Sequence, residues 1–368
     1  MTKLEFGVIG TSRKETEQRL PIHPDHISKI PKEIREQLVF EIGYGKSIGI
    51  SDEKIASLTG GVASRDDILK NIGNIILAKP VLQDLVDIKY EGIVWGWSHC
   101  VQQKEITQIA IDKRLTLVAF EDMYSLEDDK KTRLHTFWQN NELAGYCAVL
   151  HALQLKGTDG RYGEQKKILV IGFGAVSRGA IYALQGLGYK DITVCSRRTI
   201  GDLQNVITGC KYVRVSADLS ENKGLINLIS KSDIVINGML QNPSNPMMFI
   251  DKKNFAKIKS RSLIIDISCD EGMGFFFSKP TTFTEPMFKI ESIDYYGVDH
   301  TPTYLWESAS RGISQAVMKY LPNVILSKES GAKAKTLKNA TNIKKGIIQN
   351  NNIVSFQNRE NVYPYNYL

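Results

Sequence analysis

The chain has 368 residues, 42% of them hydrophobic and 24% charged, and a formal net charge of +7. That length exceeds one ordinary core and predicts two domains of roughly 100–200 residues each, with the composition of a globular protein rather than a disordered or fibrous one. No apolar run approaches the roughly 18–20 residues of a membrane span, and the five cysteines (100, 147, 195, 210 and 269) show neither C-x-x-C nor metal-ligand spacing. With no signal-peptide segment after Met1, these features predict a cytoplasmic protein with reduced thiols, no metal site and no membrane partner.

In chain order, the candidate strands are "LEFGVI" (4–9), "NIILA" (74–78), "GIVWGW" (92–97), "LTLVAF" (115–120), "ILVIG" (168–172), "ITVCS" (192–196), "DIVING" (233–238), "LIIDIS" (263–268) and "YYGVDH" (295–300). Helix-length stretches separate them, which predicts βαβ units and an α/β fold with parallel sheets. Between the fourth and fifth runs, "NNELAGYCAVLHALQLKG" spaces Leu143, Cys147, Leu150 and Leu153 at helical intervals. Asn140 or Asn141 is the expected N-cap and Gly157 the C-cap. This helix is expected to carry the chain between domains. The first domain then comprises 1–140 and 293–326, the nucleotide domain 141–292, and the tail 327–368. From Ser327 onward, seven Lys/Arg and two Glu give +5, leaving +2 for the rest. The tail's lysines have no aromatics between them, so a solvated helix and a loose end are expected rather than a nucleic-acid arm.

The stretch "ILVIGFGAVSRGA" (168–180) runs an apolar strand into a glycine-rich turn and a helix. Gly172 supplies the tight turn and Gly174 a close backbone approach to a pyrophosphate at the helix N-terminus. Ser177 replaces the third glycine of G-x-G-x-x-G; a small residue there is expected to keep helix and strand close. The next strand ends in "TVCSRR". Where an NAD site places a carboxylate for the ribose hydroxyl, this chain has Ser196 followed by Arg197 and Arg198. A guanidinium binds a 2′-phosphate through paired charge-assisted hydrogen bonds, so NADPH/NADP is the expected cofactor. The plainer alternative for the two arginines is a solvated loop.

Four further segments stand in a set order: K-x-x-E-x-R at Lys14, Glu17 and Arg19; Lys79-Pro80; His99 in "VWGWSHC"; and "IIDISCDEGMGF". With "CDEGMGFFFSKPTTFTEPMF" and "YYGVDHTPTYLWESAS", this pattern over residues 1–325 resembles the alanine dehydrogenase/pyridine nucleotide transhydrogenase family. It is most similar to the opine-forming branch, the N5-(carboxyethyl)ornithine synthases. The resemblance implies two Rossmann-like domains flanking a cleft, with the chain returning to the first domain and the protein assembling as a homo-oligomer. It also implies small-molecule substrates: a keto acid, pyruvate in that branch, and a basic amino acid, ornithine or lysine.

By the same resemblance, Arg19 matches the arginine that holds the keto-acid carboxylate, a task suited to its flat two-donor fork. Lys79, at a strand end, would stabilise charge at the keto oxygen. His99 would shuttle protons, as a group titrating near neutrality can. Asp270 would orient the amine or stabilise the iminium cation, with Asp266 in the strand as a structural carboxylate. Taken singly, each has a plainer reading: a surface ion pair for Arg19, a solvated lysine for Lys79, a packed histidine for His99. Glu121, Asp299, His300 and Trp306 are expected to receive the second amino acid. Two alternatives stay open: an alanine dehydrogenase using ammonium, and a non-catalytic nucleotide-binding component like the soluble part of a transhydrogenase.

Overall fold

A computed structural model describes residues 3–126, 133–216, 223–241 and 246–368. The chain forms two compact units, 1–138 with 306–368, and 139–305.

The first unit is built on an eight-stranded sheet. Its strands, in spatial order, are Ile347–Ile348, Thr341–Lys344, Thr116–Ala119, Ile93–Gly96, Ile75–Leu77, Phe6–Ile9, Leu38–Glu41 and Gly61–Ala63. The six strands from the N-terminal part of the chain run parallel. Strands covered on both faces must be apolar throughout, which is why runs such as "FGVI" and "IIL" are buried at every position.

The second unit has a seven-stranded sheet in the order Cys210–Arg214, Ile192–Ser196, Ile168–Ile171, Ile234–Asn237, Leu263–Asp266, Ile293–Tyr296 and Met287–Ile290. Among these seven, the edge strand Met287–Ile290 alone is antiparallel. In both sheets the parallel strands follow the order third, second, first, fourth, fifth, sixth. That is the doubly wound arrangement whose ligands sit beyond the carboxyl ends of the strands where the order reverses. The α/β expectation is therefore met in both units.

Two expectations about the chain's course are corrected. The return to the first unit comes at Trp306, not near 293. Ile293–Tyr296 is the sixth strand of the second sheet, paired on one side with Leu263–Asp266 and on the other with Met287–Ile290, so this apolar run is satisfied where it stands. Nor is the tail a loose end: Ile343, Ile348, Ile353 and Tyr365 lie in one core with Cys100, Ile106 and Leu117. Its lysines point outward while every few residues an apolar side chain turns in, a pattern that the charge count conceals.

The connecting helix spans Trp138–Leu155 and crosses the helix Ala175–Gly186 at close range. A methyl group on Gly145 would lie 1.8 Å from the Val176 carbonyl oxygen, and one on Gly179 would lie 1.7 Å from that of Glu142. Glycine is required at both places because backbone meets backbone.

Candidate functional site

In the first unit the predicted residues stand on loops that follow four strand ends. Residues 10–23 follow the strand Phe6–Ile9. Their start is fixed by Glu41, whose carboxylate accepts from the N–H groups of Gly10 (2.9 Å) and Thr11 (2.8 Å). Arg65 donates to the Thr11 carbonyl (2.6 Å) and pairs with the wholly buried Asp84 at 2.6 Å. Asp84 in turn accepts from the Val81 N–H (3.0 Å), and Ser12 Oγ donates to the Lys79 carbonyl (3.1 Å). The loop carrying K-x-x-E-x-R is thereby tied to the loop carrying Lys79.

Arg19 is buried, 5% exposed. Glu17, for which spacing suggested no role of its own, accepts from Arg19 Nε (2.8 Å), from Nη2 and from the Arg19 N–H (2.9 Å). The guanidinium lies over the Trp97 ring at 5.0 Å, and Trp97 meets Phe120 and Phe137 edge-on or tilted at 5.0 and 5.2 Å. Glu17 and the aromatic wall together set the plane of the fork, the property on which carboxylate recognition depends.

His99 follows the strand Ile93–Gly96 and adopts a left-handed backbone, φ +45°. Such a conformation in a non-glycine residue is uncommon and persists where surroundings enforce it. Here Glu121 accepts from the His99 N–H at 2.6 Å, and the N–H groups of Gln102 and Gln103 donate to the His99 carbonyl at 3.1 and 2.9 Å. His99 Nδ1 stands 4.0 Å from Glu121 Oε1. Glu121 Oε2 is buried with no hydrogen-bond partner among the described residues. Burial pushes its carboxyl up to about 7, against opposing pulls from hydrogen bonding and from the charge of Lys79. Lys79, His99 and Glu121 thus form one electrostatic group, and Glu121 holds the histidine's turn. Cys100, beside it, is an inert thiol, pushed up to about 12 chiefly by burial.

In the second unit Gly172 has φ +94°, and Gly174 precedes the first turn of the helix Ala175–Gly186, which no side chain caps. Among the described residues nothing stands within 4 Å of the place a Cβ on Gly174 would take, so the backbone there is open. Gly179 makes a separate close contact, with the backbone of the connecting helix at Glu142. Ser177 is fully buried, and its hydroxyl has no hydrogen-bond partner among the described residues. It lies between the turn and the end of the fourth strand, 2.6 Å from where a Cβ on Gly238 would be.

Ser196 ends the second strand, and its Oγ accepts from the Arg198 N–H (3.2 Å). Arg198 Nη2 donates to the Phe173 carbonyl at 2.9 Å, which brings the guanidinium to the glycine turn. Arg197 is exposed, and its carbonyl accepts from Arg214 Nε at 3.4 Å. Arg214 is a third arginine at this corner; sequence reasoning missed it because it lies in a strand that no strong apolar run announces. Arg178 is taken up locally: it stacks on Phe173 at 4.2 Å and donates to the carbonyls of Asn205 (2.6 Å) and Gln204. The strand Ile192–Ser196 ends in a hydroxyl rather than a carboxylate.

Asp270 is exposed, beyond the strand Leu263–Asp266. Asp266 is wholly buried and accepts from Asn237 Nδ2 (2.9 Å), Ser278 Oγ (2.8 Å) and Tyr295 OH (3.0 Å). Burial pushes it up to about 6 while these donors pull it down, which is the profile of a structural carboxylate. The segment expected to receive a second amino acid is divided. Asp299 and His300 belong to the second unit, with His300 Nδ1 2.5 Å from Asp299 Oδ1, whereas Trp306 opens the helix Trp306–Met318 of the first.

Known proteins share this chain's sequence and fold. An N(5)-(carboxyethyl)ornithine synthase from Clostridium botulinum is 25% identical over 316 residues, covering 83% of this chain and 90% of that protein. An alanine dehydrogenase from Mycobacterium tuberculosis is 22% identical over 329 residues, covering 85% of each. A solved L-alanine dehydrogenase superposes with a TM-score of 0.73, covering 96% of this chain and 99% of its own at 17% identity, a likeness of fold. The family model for the alanine dehydrogenase/PNT C-terminal domain matches residues 157–354, more than half of the chain. The chain belongs to the alanine dehydrogenase/PNT family.

Proposed function

We propose that this protein is an NADPH-dependent oxidoreductase that joins a keto acid such as pyruvate to the side-chain amine of ornithine or lysine, giving an N-(1-carboxyethyl) amino acid. The family implies a nicotinamide cofactor. The preference for NADPH rests on Ser196, Arg197 and Arg198, with Arg198 already bonded to the glycine turn. When bound, the cofactor supplies the hydride. In the first unit Arg19, its plane set by Glu17 and Trp97, holds the keto-acid carboxylate. Lys79 stabilises the negative charge that grows on the keto oxygen as the amine attacks. His99 takes a proton from the amine and returns one to the departing hydroxyl. Glu121 fixes the His99 turn and lends the imidazolium a nearby carboxylate. Asp270 is assigned to the cationic nitrogen.

One observation carries this reading: Lys79, His99 and Glu121 converge at neighbouring strand ends with their charges coupled. The test is purified protein with NADPH and pyruvate, offered ornithine, lysine or ammonium in turn, with product masses measured. Oxidation of NADPH with ornithine or lysine and formation of the secondary amine is the expected result. Oxidation with ammonium alone would make the enzyme an alanine dehydrogenase, the activity for which the Mycobacterium tuberculosis relative is named.

A further inference from the structure

The last forty residues have no part in the reading above, yet three of their polar side chains are almost completely buried: Asn342 and Gln357 at 1% exposure and Arg359 at 2%. Buried polar groups are kept where each donor meets an acceptor, so their partners show what the segment holds. Gln357 Nε2 donates to the carbonyls of Cys100 (2.7 Å) and Val101 (3.1 Å) and to Thr107 Oγ1 (3.1 Å). Thr107 Oγ1 itself donates to the Cys100 carbonyl at 2.6 Å. The amide has one workable orientation, because Gln357 Oε1 accepts from Arg359 Nε (2.7 Å) and a guanidinium has no acceptor to offer. Arg359 is fixed in turn by Gln108 Oε1 (2.8 Å), the Tyr365 carbonyl (3.0 Å) and the Tyr367 ring beneath it at 4.0 Å.

Asn342 does the same for the neighbouring turn. Its Nδ2 donates to Asp122 Oδ2 at 2.8 Å, and its Oδ1 accepts from Asn350 Nδ2 at 2.9 Å. Cys100 and Val101 directly follow His99, and Asp122 directly follows Glu121. Both turns at the proposed centre are therefore gripped from behind by side chains of the C-terminal segment. The left-handed backbone of His99 requires such support.

We propose that residues 341–367 form a brace for the His99–Glu121 pair, with Gln357 and Asn342 as positioning residues that keep the two turns in register. The inference rests on the catalytic role proposed for His99. It is tested in the full-length protein with Gln357→Met, which removes the amide donors at similar volume, and Asn342→Asp, which sets a carboxylate against Asp122. A turn displaced by a fraction of an ångström is expected to lower kcat about tenfold or more and to shift the pH profile of kcat. The KM for the keto acid and the Kd for NADPH stay close to wild type, because these amides bond to the turns that follow His99 and Glu121 and hold neither Arg19 nor the glycine turn. Val362→Ser, exposed on the same segment, serves as the unchanged control.

A folded Gln357→Met protein with wild-type kcat and pH profile overturns the brace, as does activity lost only in proportion to folded protein. Asn342→Asp decides between the same two outcomes should Gln357→Met fail to fold. His99→Ala separates the two levels. Full turnover in that variant sinks the functional reading and the brace with it, whereas an inactive His99→Ala beside a fully active Gln357→Met sinks the brace alone.

Discussion

The two units share a strand order but finish their first strand in opposite ways. In the first, the N–H groups of Gly10 and Thr11 are taken by Glu41, the last residue of the neighbouring second strand. In the second, the chain turns at Gly172 straight into a helix whose first turn no side chain caps, and the second strand ends at neutral Ser196. One sheet therefore supplies its own anion at the crossover, and the other supplies none there from its second strand, the place at which we propose the cofactor's phosphate binds. The first unit, having filled its backbone donors, presents charged side chains from the loops after its first, fourth, fifth and sixth strands. In the proposed reading topology sets where ligands bind in both units, while the residue at one strand end decides whether backbone or side chain is offered to them.

The sharpest way to break this contrast is Lys79→Ala. Turnover should fall roughly 10³-fold with NADPH affinity unchanged, as measured by steady-state kinetics and cofactor titration, because removing one preorganised charge donor costs catalysis on that order. Equal losses in both measurements would show that the division of labour between units is wrong. Next in size is Arg198→Ala. One charge-assisted hydrogen bond is worth about 1.5–3 kcal/mol, so kcat/KM with NADPH should drop on the order of 10–100-fold while that with NADH changes little.

Glu121→Gln tests the first unit's buried charge. The folded state raises this carboxyl to about 7 from an ordinary 4.5. The folded protein therefore holds the proton more tightly than the unfolded chain, and stability falls as pH rises from about 4.5 to 7. Replacing the carboxylate should stabilise the protein by about 3 kcal/mol at pH 8 and by almost nothing at pH 4, read from urea unfolding at both values. The smallest effect belongs to Ser177→Ala. Removing a buried hydroxyl that has no partner among the described residues should raise stability by about 1 kcal/mol. A loss instead, together with weaker NADPH binding, would mark Ser177 as part of the nucleotide site.

How far the sequence revealed these features follows from what each residue needs. Continuous apolar runs such as "ILVI" and "LIID" announce buried parallel strands, and the glycine turn announces the strand-to-helix turn that the structure shows at Gly172 and Gly174. The short strand Leu38–Glu41 carries little signal of its own and owes its place to pairing with Phe6–Ile9 on one side and Gly61–Ala63 on the other. The tail misleads for a different reason: Asn342, Gln357 and Arg359 read as solvated, and only their hydrogen bonds, Asn342 with Asp122 and Asn350, Gln357 with Arg359 and the Cys100 carbonyl, allow burial. Arg19, Lys79, His99 and Glu121 are individually unremarkable as residue types. Their convergence depends on strand ends that lie far apart in sequence and adjacent in the sheet. The contacts of Glu17 with Arg19, and of Glu121 with the His99 backbone, are matters of a few tenths of an ångström, and no spacing rule foretells them.

The crossing at Gly145 and Gly179 bears on how such an enzyme diversifies. With no space for even one extra carbon between those helices, the helix that follows the glycine turn has no slack to be re-aimed by drift. A descendant that exchanged one dinucleotide for the other would do so by rewriting the solvent-facing corner at 196–198, leaving the rigid joint behind it untouched.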